Sequence, residues 1–457
     1  MAGKAREFSL GLSVVLTVGS ALLWGVAHLV TGRARTGLAL MATYLLMIAS
    51  VLTVVLVLGG HLLSLAVQPG WLTALTITLV AIAVAWSTVI IWSYSLVRPA
   101  HGARTFTTVL VVGLCAVIIA PMAYAARLAY VSRDMVTTLF PANSTPIVAA
   151  DPWNGLSRVN FLLVGADAAP NRPGVRTDSM TVASVDTSTG ATTLLGLPRN
   201  MERVPLPHGP ARQRFPSGFG GEPPYTPGLL NEVFQYAEDY PEMVPGVRKG
   251  HRGPTLLKQT VSGILGIPVN YYAMVDMAGF AEIIDAMGGV RVTIKEPIVY
   301  GKYREGLLPA GTRKLSGEQA LWYGRSRTDS DDYVRMGRQK CLLNAVAKQA
   351  DPVTLLNSFE SLAKATKRAI STDIPQSLLP ALADLSQKVK DTRIRSLSFV
   401  PPLISTAYPD WYLIRRKVNQ ALADRPVSKA ATAPGARSTD TPAPSPDRPV
   451  TLDDQCG

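Results

Sequence analysis

Residues 8–131 hold four apolar stretches and almost no charge, which restricts this part of the chain to membrane helices. The stretches are Leu10–Val30, Gly37–Gly59, Trp71–Val97 and Phe106–Tyr130. The last three are each long enough to cross a hydrocarbon core of about 30 Å. Repeated long spans go beyond what a cleavable signal peptide explains. Orientation follows from the lysines and arginines. Lys4, Arg6, Arg33 and Arg35 precede the second stretch, Arg98 and Arg104 lie between the third and fourth, and the connection Gly60–Gly70 has neither residue type. Both basic connections are therefore expected in the cytoplasm, with Gly60–Gly70 and everything after Tyr130 outside. That assignment needs Leu10–Val30 not to cross. It lies in the interface or dips in as a hairpin, which Gly19, Gly25 and His28 tolerate. Three spans are the expectation, and four the alternative, with the N-terminus then outside against Lys4 and Arg6. His28, His61 and His101 sit at the ends of the stretches, but no Asp, Glu or buried Lys accompanies them inside. A transporter or proton relay normally needs such groups, so the helices read as an anchor.

Everything after Ser132 reads as a soluble domain, and 457 residues allow two or three folding units. The expected division is a membrane anchor over 1–131, a linker over 132–157, an extracytoplasmic catalytic domain over 158–425 and a disordered tail over 426–457. The tail is rich in Pro, Ala, Ser, Thr and Asp. The net charge of +13 is diffuse, with no basic helix or aromatic-interleaved patch, which argues against a nucleic-acid partner. An anionic membrane surface or a polyanionic substrate suits it better. Three cysteines at these spacings offer no metal site. Outside the cell Cys341 and Cys456 can pair and tie the tail back to the domain; two unrelated free thiols are the equal alternative.

From Asn160 the pattern becomes α/β. Val159–Gly165 has the form of a buried strand. Met180–Val185 and Thr192–Leu197 flank Asp186-Thr187-Ser188-Thr189-Gly190 as two antiparallel strands around a tight turn. Leu229, Leu230, Val233, Phe234 and Ala237 recur at helical spacing, as do Leu257, Val261, Ile264 and Leu265. Tyr271–Val275 and Val290–Ile294 read as strands, with a helix over Gly279–Met287 between them. Ser316-Gly317-Glu318-Gln319 has the form of a capping box. A helix over Met336–Gln349, two more before Asp391 and a strand over Ile394–Val400 complete the domain. Helices on both sides of a mixed sheet is the natural packing.

The run Gly324–Gln339 places four arginines and three aspartates together. A solvated loop is the ordinary meaning of such a run. Here two further Arg/Asp groups fall at expected strand ends: Asp167 after Gly165, and Arg176 with Asp178 at the start of the next strand. Arg199 follows the hairpin's second strand. Arg325 and Arg327 share a face if the backbone is extended, and Arg335 and Arg338 share one on a helix. Guanidinium forks match phosphate geometry and stay charged at any relevant pH. Two carboxylates at strand ends suit a hard divalent ion that takes its other oxygens from phosphate. His208 and His251, the histidines of the soluble part, are not expected to be catalytic. Pro205–Pro227, rich in Gly, Pro and Arg, reads as a mobile loop over the site.

Several segments resemble the LytR-CpsA-Psr domain, in the expected order: Asn160-Phe161-Leu162-Leu163-Val164-Gly165-Ala166-Asp167, Arg176-Thr177-Asp178-Ser179-Met180, Leu197-Pro198-Arg199, Gly317–Arg327 and Asp332–Gln339. The chain departs from the family at Asn200, where an acidic residue is frequent. The resemblance covers residues 158–350 in its motifs and reaches Leu422 in general pattern, and the membrane half and tail resemble the actinobacterial type. It implies a Mg²⁺-dependent phosphotransferase, with Mn²⁺ as a substitute, at the outer face of the plasma membrane. The enzyme would move an anionic glycopolymer, of the teichoic acid or arabinogalactan kind, from a polyprenyl-pyrophosphate carrier onto a peptidoglycan hydroxyl. Under that reading Asp167 and Asp178 hold the metal, and Arg176, Arg199, Arg325, Arg327, Arg335 and Arg338 grip the pyrophosphate. Asp332 orients or deprotonates the attacking hydroxyl, with Arg325 and Arg327 beside it in the reaction. The helix faces at Leu229–Ala237 and Leu257–Leu265 line an isoprenoid slot or are plain core. A carrier hydrolase, or a non-catalytic sensor of lipid-linked precursors, uses the same residues.

Overall fold

In a computed structural model, residues 8–59, 62–99, 104–142, 151–167, 174–222, 226–301, 303–328, 330–349, 358–423 and 448–456 are described. The chain divides into two compact units, Met1–Val136 and Thr137–Gly457.

The first unit is helical. Helix α1 (Leu10–Leu22) starts at Ser9, whose hydroxyl accepts the Leu12 amide. Its 13 residues rise about 20 Å, too little for a hydrocarbon core of about 30 Å. The chain then turns at Gly25, where φ is +94° and a Cβ would fall 2.2 Å from the Gly37 carbonyl oxygen. A second, short helix α2 (Val26–Val30) returns. Phe8 bridges to Pro99, Leu16 packs against Val97, and Ala21 against Ile90. These contacts lay α1 along the last turns of the helix Pro69–Leu96, so Leu10–Val30 is a helical hairpin. The Trp86 indole donates to the Ala21 carbonyl at 2.9 Å and pins the hairpin tip. Beyond it come α3 (Ala34–Leu58), α4 (Leu62–Leu65), α5 (Pro69–Leu96) and α6 (Arg104–Leu139). Three segments, Ala34–Val57, Pro69–Leu96 and Thr105–Leu139, are long and apolar enough to cross a membrane. Helix α6 contains Gly113 and Pro121 and runs past Tyr130, since neither Gly nor Pro falls between Tyr130 and Pro141.

In the second unit the elements follow in order: β1 (Arg158–Asp167), β2 (Arg176–Asp186), β3 (Thr192–Leu197), α7 (Pro210–Arg214), α8 (Val233–Asp239), α9 (Arg252–Leu265), β4 (Tyr271–Asp276) and α10 (Met277–Ala286). Next are β5 (Val290–Ile294), β6 (Ile298–Tyr300), β7 (Gly306–Leu308), β8 (Gly311–Leu315), α11 (Gly317–Arg325) and α12 (Asp332–Gln349). The last are α13 (Phe359–Ala369), β9 (Ile370–Thr372), α14 (Leu379–Lys390), β10 (Arg395–Ser398), α15 (Trp411–Ala423), β11 (Val450–Thr451) and α16 (Leu452–Cys456). Seven strands form one mixed sheet in the order β11-β10-β3-β2-β1-β4-β9. Strand β1 pairs antiparallel with β2 and parallel with β4, and β3 runs parallel to β10. The β2–β3 hairpin closes as its sequence implies, with the Asp186 carboxylate accepting the amides of Ser188 and Thr189.

Alternation along the strands gives the sheet two different faces. On one, Leu162, Val164, Met180, Val182, Leu195 and Leu197 pack against α8, α9 and α15 through Leu230, Val233, Leu257, Val261, Ile414 and Val418. The Leu229–Ala237 and Leu257–Leu265 faces are therefore core, not the lining of an isoprenoid slot. The other face, through Leu163, Gly165, Thr181, Ala273 and Val275, meets α10, α11 and α12.

Three expectations need correction. Strand β5 leaves the main sheet and pairs with β8 in a two-stranded sheet, because Val290, Val292 and Ile294 turn to a second core with Ile284, Leu315 and Tyr323. Pro205–Pro227 is packed down, apart from residues 223–225, which lie outside the described residues: Phe219 is fully buried and meets Phe215 and Tyr236 edge to face. The tail is ordered at its end. Thr451 and Val450 pair with Arg395 and Ser396, Leu452 is buried, and Cys456 is disulfide-bonded to Cys341, 115 residues away. The remainder of the tail, 424–447, lies outside the described residues.

Candidate functional site

The ends of β1, β2 and β3 carry the first charges of the site. The β1–β2 register shifts between Gly165 and Ala166, and such a bulge re-aims the residues beyond it. Asp167 closes β1 opposite Arg176, and Asp178 is the third residue of β2. Pro198 ends β3 and leaves Arg199 at the sheet edge. Helix α11 begins at the expected capping box: the Ser316 hydroxyl accepts the Gln319 amide, and the Gln319 side chain accepts that of Ser316. Its last residue is Arg325. Helix α12 begins at Asp332 and is capped by Asp331, whose carboxylate accepts the amides of Tyr333 and Val334. Arg327 lies in the loop between these helices.

Arg199 joins the two charge groups. It donates to Asp178 Oδ1 at 2.6 Å and, through Nε, to Asp332 Oδ1 at 3.1 Å. Arg335 holds Asp332 from beneath, with Nε 3.2 Å from Oδ1 and Nη2 3.0 Å from Oδ2. It also reaches the Asp178 carbonyl at 2.9 Å. Arg327 stands 3.8 Å from Asp332 Oδ1 with 53% of its side chain exposed, whereas Arg335 is 3% exposed. Arg325 pairs with Asp167 at 3.1 Å and lies over the Trp322 ring. Four guanidinium groups thus surround three carboxylates.

Burial and neighbouring charges act differently on the groups of this cluster. Burial works to raise the Asp178 carboxyl, but Arg199, Asn231 and Arg335 together hold it below the ordinary carboxylate range. Burial opposes the charge on Arg199, yet Asp178 and Asp332 raise it above its usual value. Arg327 is different. Burial and the like charges of Arg199 and Arg335 depress it, and Asp332 and Asp178 only partly compensate. An oxyanion at this position relieves that repulsion.

The two remaining arginines do not join the cluster. Arg338 shares a helix with Arg335, but its Nη2 donates to the Ser326 carbonyl and to Ser330 Oγ at 2.9 Å. It braces the loop that carries Arg327. Arg176 is exposed beside Asp167. Arg325 is the last helical residue and Ser326 is extended, so the expected extended Arg325/Arg327 pair is a helix end followed by a loop. Asn231, absent from the sequence expectations, donates to Asp178 Oδ1 at 3.2 Å. Its signal was a polar residue on the buried face of an apolar helical run; Asn231 is 4% exposed.

Beside Arg325 a cavity of about 200 Å³ opens between the sheet and α10, α11 and α12, lined mainly by Leu163, Ala273, Val275, Phe280, Leu342 and Leu343. An apolar slot with a guanidinium group at its edge suits an amphiphile with an anionic head. No group of three or more His, Cys, Asp or Glu able to hold a metal occurs among the described residues.

Residues 133–402, more than half of the chain, match the model of the LytR_cpsA_psr family. A probable cell wall biosynthesis protein, LcpB of Corynebacterium glutamicum, is 38% identical over 111 residues, covering 24% of this chain and 27% of that protein. The polyisoprenyl-teichoic acid–peptidoglycan teichoic acid transferase TagU of Bacillus cereus is 24% identical over 220 residues, covering 48% and 61%. The chain spans less than two thirds of the length of these curated relatives. Among solved structures, TagV of B. subtilis aligns over 59% of this chain and 99% of that one, with 22% identity and a TM-score of 0.40.

Proposed function

The chain belongs to the LytR_cpsA_psr family, and from that premise we propose that it is a membrane-anchored phosphotransferase working at the outer face of the plasma membrane. It moves an anionic glycopolymer from a polyprenyl-pyrophosphate carrier to a peptidoglycan hydroxyl. One observation carries the reading: Arg325 lines the apolar slot and pairs with Asp167, and it stands two residues before Arg327, which lies beside Asp332. A polyprenyl pyrophosphate has that same division between an apolar chain and a dense anion. The name of the transferase TagU, with its polyisoprenyl-linked donor and peptidoglycan acceptor, supports it.

In this reading the isoprenoid lies in the slot, and Arg199, Arg325 and Arg327 take the pyrophosphate oxygens. The acceptor hydroxyl attacks the phosphorus next to the sugar. A new P–O bond forms to the acceptor, the bond to the bridging oxygen breaks, and the lipid leaves as its monophosphate, which takes up the hydroxyl's proton. The arginines offset the charge that builds on the leaving phosphate. Both oxygens of Asp332 already face arginines, so its part is to fix Arg199, Arg327 and Arg335 and to steer the incoming hydroxyl. Asp167 and Asp178 would be the residues to hold a hard divalent ion, Mg²⁺ or Mn²⁺, through their carboxylates, of which Asp178 Oδ1 accepts from Arg199 and Asn231 and Asp167 Oδ2 from Arg325. Such an ion would neutralise pyrophosphate charge, taking its other ligands from phosphate and water.

The test is product identity. The full chain in detergent, supplied with a polyprenyl-pyrophosphate-linked oligosaccharide and a peptidoglycan fragment, should yield a phosphodiester-linked adduct by mass spectrometry. Free lipid phosphate and unattached sugar phosphate, with no adduct, would make the protein a hydrolase. Binding without turnover would make it a sensor.

A further inference from the structure

Strands β5 to β8 make one ribbon outside the main sheet, β5 pairing with β8 and β6 with β7. Its inner face is apolar: Val290, Val292, Ile294, Leu308 and Leu315 belong to the second core. Its outer face is charged. Arg291 and Lys314 are both exposed and are register partners, so two cations stand opposite each other across the strands. Like charges so placed cost stability. Over residues 290–315 the chain carries six lysines and arginines against two glutamates.

The tip adds apolar surface. Tyr303 is 79% exposed and Leu307 57%. Their backbone is held: the Tyr303 amide donates to Glu305 Oε2 at 2.7 Å, and Leu307 pairs with Val299. Arg304, exposed between them, has φ of +61°, a conformation uncommon for any residue but glycine. Strain of that kind is retained where the residue has a use. Cations beside an exposed Tyr and Leu fit the boundary between phospholipid headgroups and hydrocarbon, where aromatic and long basic side chains sit with one end in each medium. A soluble polyanion would match the charges and leave Tyr303 and Leu307 in water.

The ribbon is also joined to the donor slot. Ser316 leads from β8 into α11, Ser326 Oγ donates to the Val299 carbonyl at 2.6 Å, and Tyr300 stacks on Trp322, over which Arg325 lies. The slot, about 200 Å³, is smaller than the roughly 300–1,000 Å³ of ordinary small-ligand sites. It takes part of a long isoprenoid and leaves the rest in hydrocarbon. We propose that the outer face and tip of this ribbon rest on an anionic phospholipid surface, and that the contact brings the slot to its carrier. The contact stands on the ribbon's own residues; its purpose rests on the phosphotransfer reading.

The test uses the full chain in nanodiscs of phosphatidylcholine, with or without phosphatidylglycerol. In a Cys115→Ser background, spin labels go on Tyr303→Cys, Leu307→Cys or His251→Cys, the last an exposed site before α9 on the other side of the main sheet. With phosphatidylglycerol, labels at 303 and 307 should meet oxygen more and an aqueous nickel chelate less than the label at 251. Arg291→Gln with Lys314→Gln removes a repulsion, so the protein should fold. It should return the labels to water and raise KM for a nanodisc-embedded donor by about tenfold or more, with kcat for a short-chain soluble donor unchanged. Labels in water at all three positions, equal depth in both lipids, or a depth indifferent to the double variant would overturn the contact. Labels immobilised only by added poly(glycerol phosphate) would overturn it in favour of a soluble polymer. Contact with an unchanged KM, or in a protein that forms no adduct, would uphold the surface and overturn its part in carrier delivery.

Discussion

Arg327 and Arg335 both meet Asp332, yet they belong to different kinds of interaction. Arg335 is almost wholly buried and satisfies a carboxylate and a carbonyl of the β2–α12 junction. Removing it takes two hydrogen bonds from Asp332, which keeps that of Arg199, so Arg335→Ala should cost about 1.5–3 kcal/mol of stability. Arg327 is half exposed and repelled by its neighbours. Arg327→Ala should change stability by no more than about 0.5 kcal/mol but lower transfer by about 10²–10³. Thermal unfolding and adduct yield, measured on both variants, separate the roles; a large stability loss in Arg327→Ala would contradict them. Lys340 tests burial alone. Its Nζ donates to Ser396 and Ser398 at 2.6 Å each, and burial pushes its pKa down to about 8. The unfolded chain holds that proton up to about 10.5, so between pH 8 and 10.5 it binds more protons than the folded state. Stability should therefore rise with pH across this window, by roughly 3 kcal/mol, and the rise should vanish in Lys340→Met. Denaturant unfolding at pH 7.5, 9 and 10.5 reads it. The positions of Asp167, Asp178 and Arg199 were legible because strand ends present side chains to one edge, whereas Arg325 stood out through the Arg/Asp run and lies at a helix end. Arg338 was not legible, since i, i+3 spacing fixes a helix face but not where a long guanidinium ends.

Helix faces carry the same ambiguity one level up. The apolar spacing of α8 and α9 is the same whether a helix packs on a sheet or lines a ligand slot. Strand alternation was readable, but not which strand face each helix covers, and that assignment moved the slot to α10, α11 and α12. Ala273, in the slot, and Leu257, in the opposite core, give the distinction a test. Ala273→Phe should reduce transfer by about tenfold or more, the effect of ~1.4 kcal/mol, while Leu257→Ala should cost about 2–5 kcal/mol of stability and leave the preference for carrier length unchanged. Assays with carriers of different isoprenoid length decide it. The hairpin β2–β3 and the α11 cap were read directly because each depends on local chemistry. Strands β9 and β11 were missed, since two or three residues hold no period and gain their partners only from the assembled sheet.

At the scale of the whole chain, the helical unit and the α/β unit have separate sequence signatures and separate cores. The first apolar stretch was ambiguous by length alone; α1 and α2 are each too short to cross, and Phe8, before α1, lies beside Pro99, after α5. That arrangement agrees with the distribution of lysine and arginine and leads to a topology prediction. An impermeant thiol reagent applied to intact cells should label a cysteine placed at Gly70 but not one placed at Arg98. The reverse pattern would put the arginine cluster on the cytoplasmic side, away from any wall acceptor. The most direct test of the central claim locates the carrier itself. A polyprenyl pyrophosphate with a photoreactive group on its isoprenoid, irradiated with the full chain, should crosslink to the slot around Leu163, Ala273 and Leu342, with Arg325→Ala reducing the yield. Crosslinks on α8 and α9, or a yield indifferent to Arg325, would contradict the joining of apolar slot and arginine cluster into one donor site.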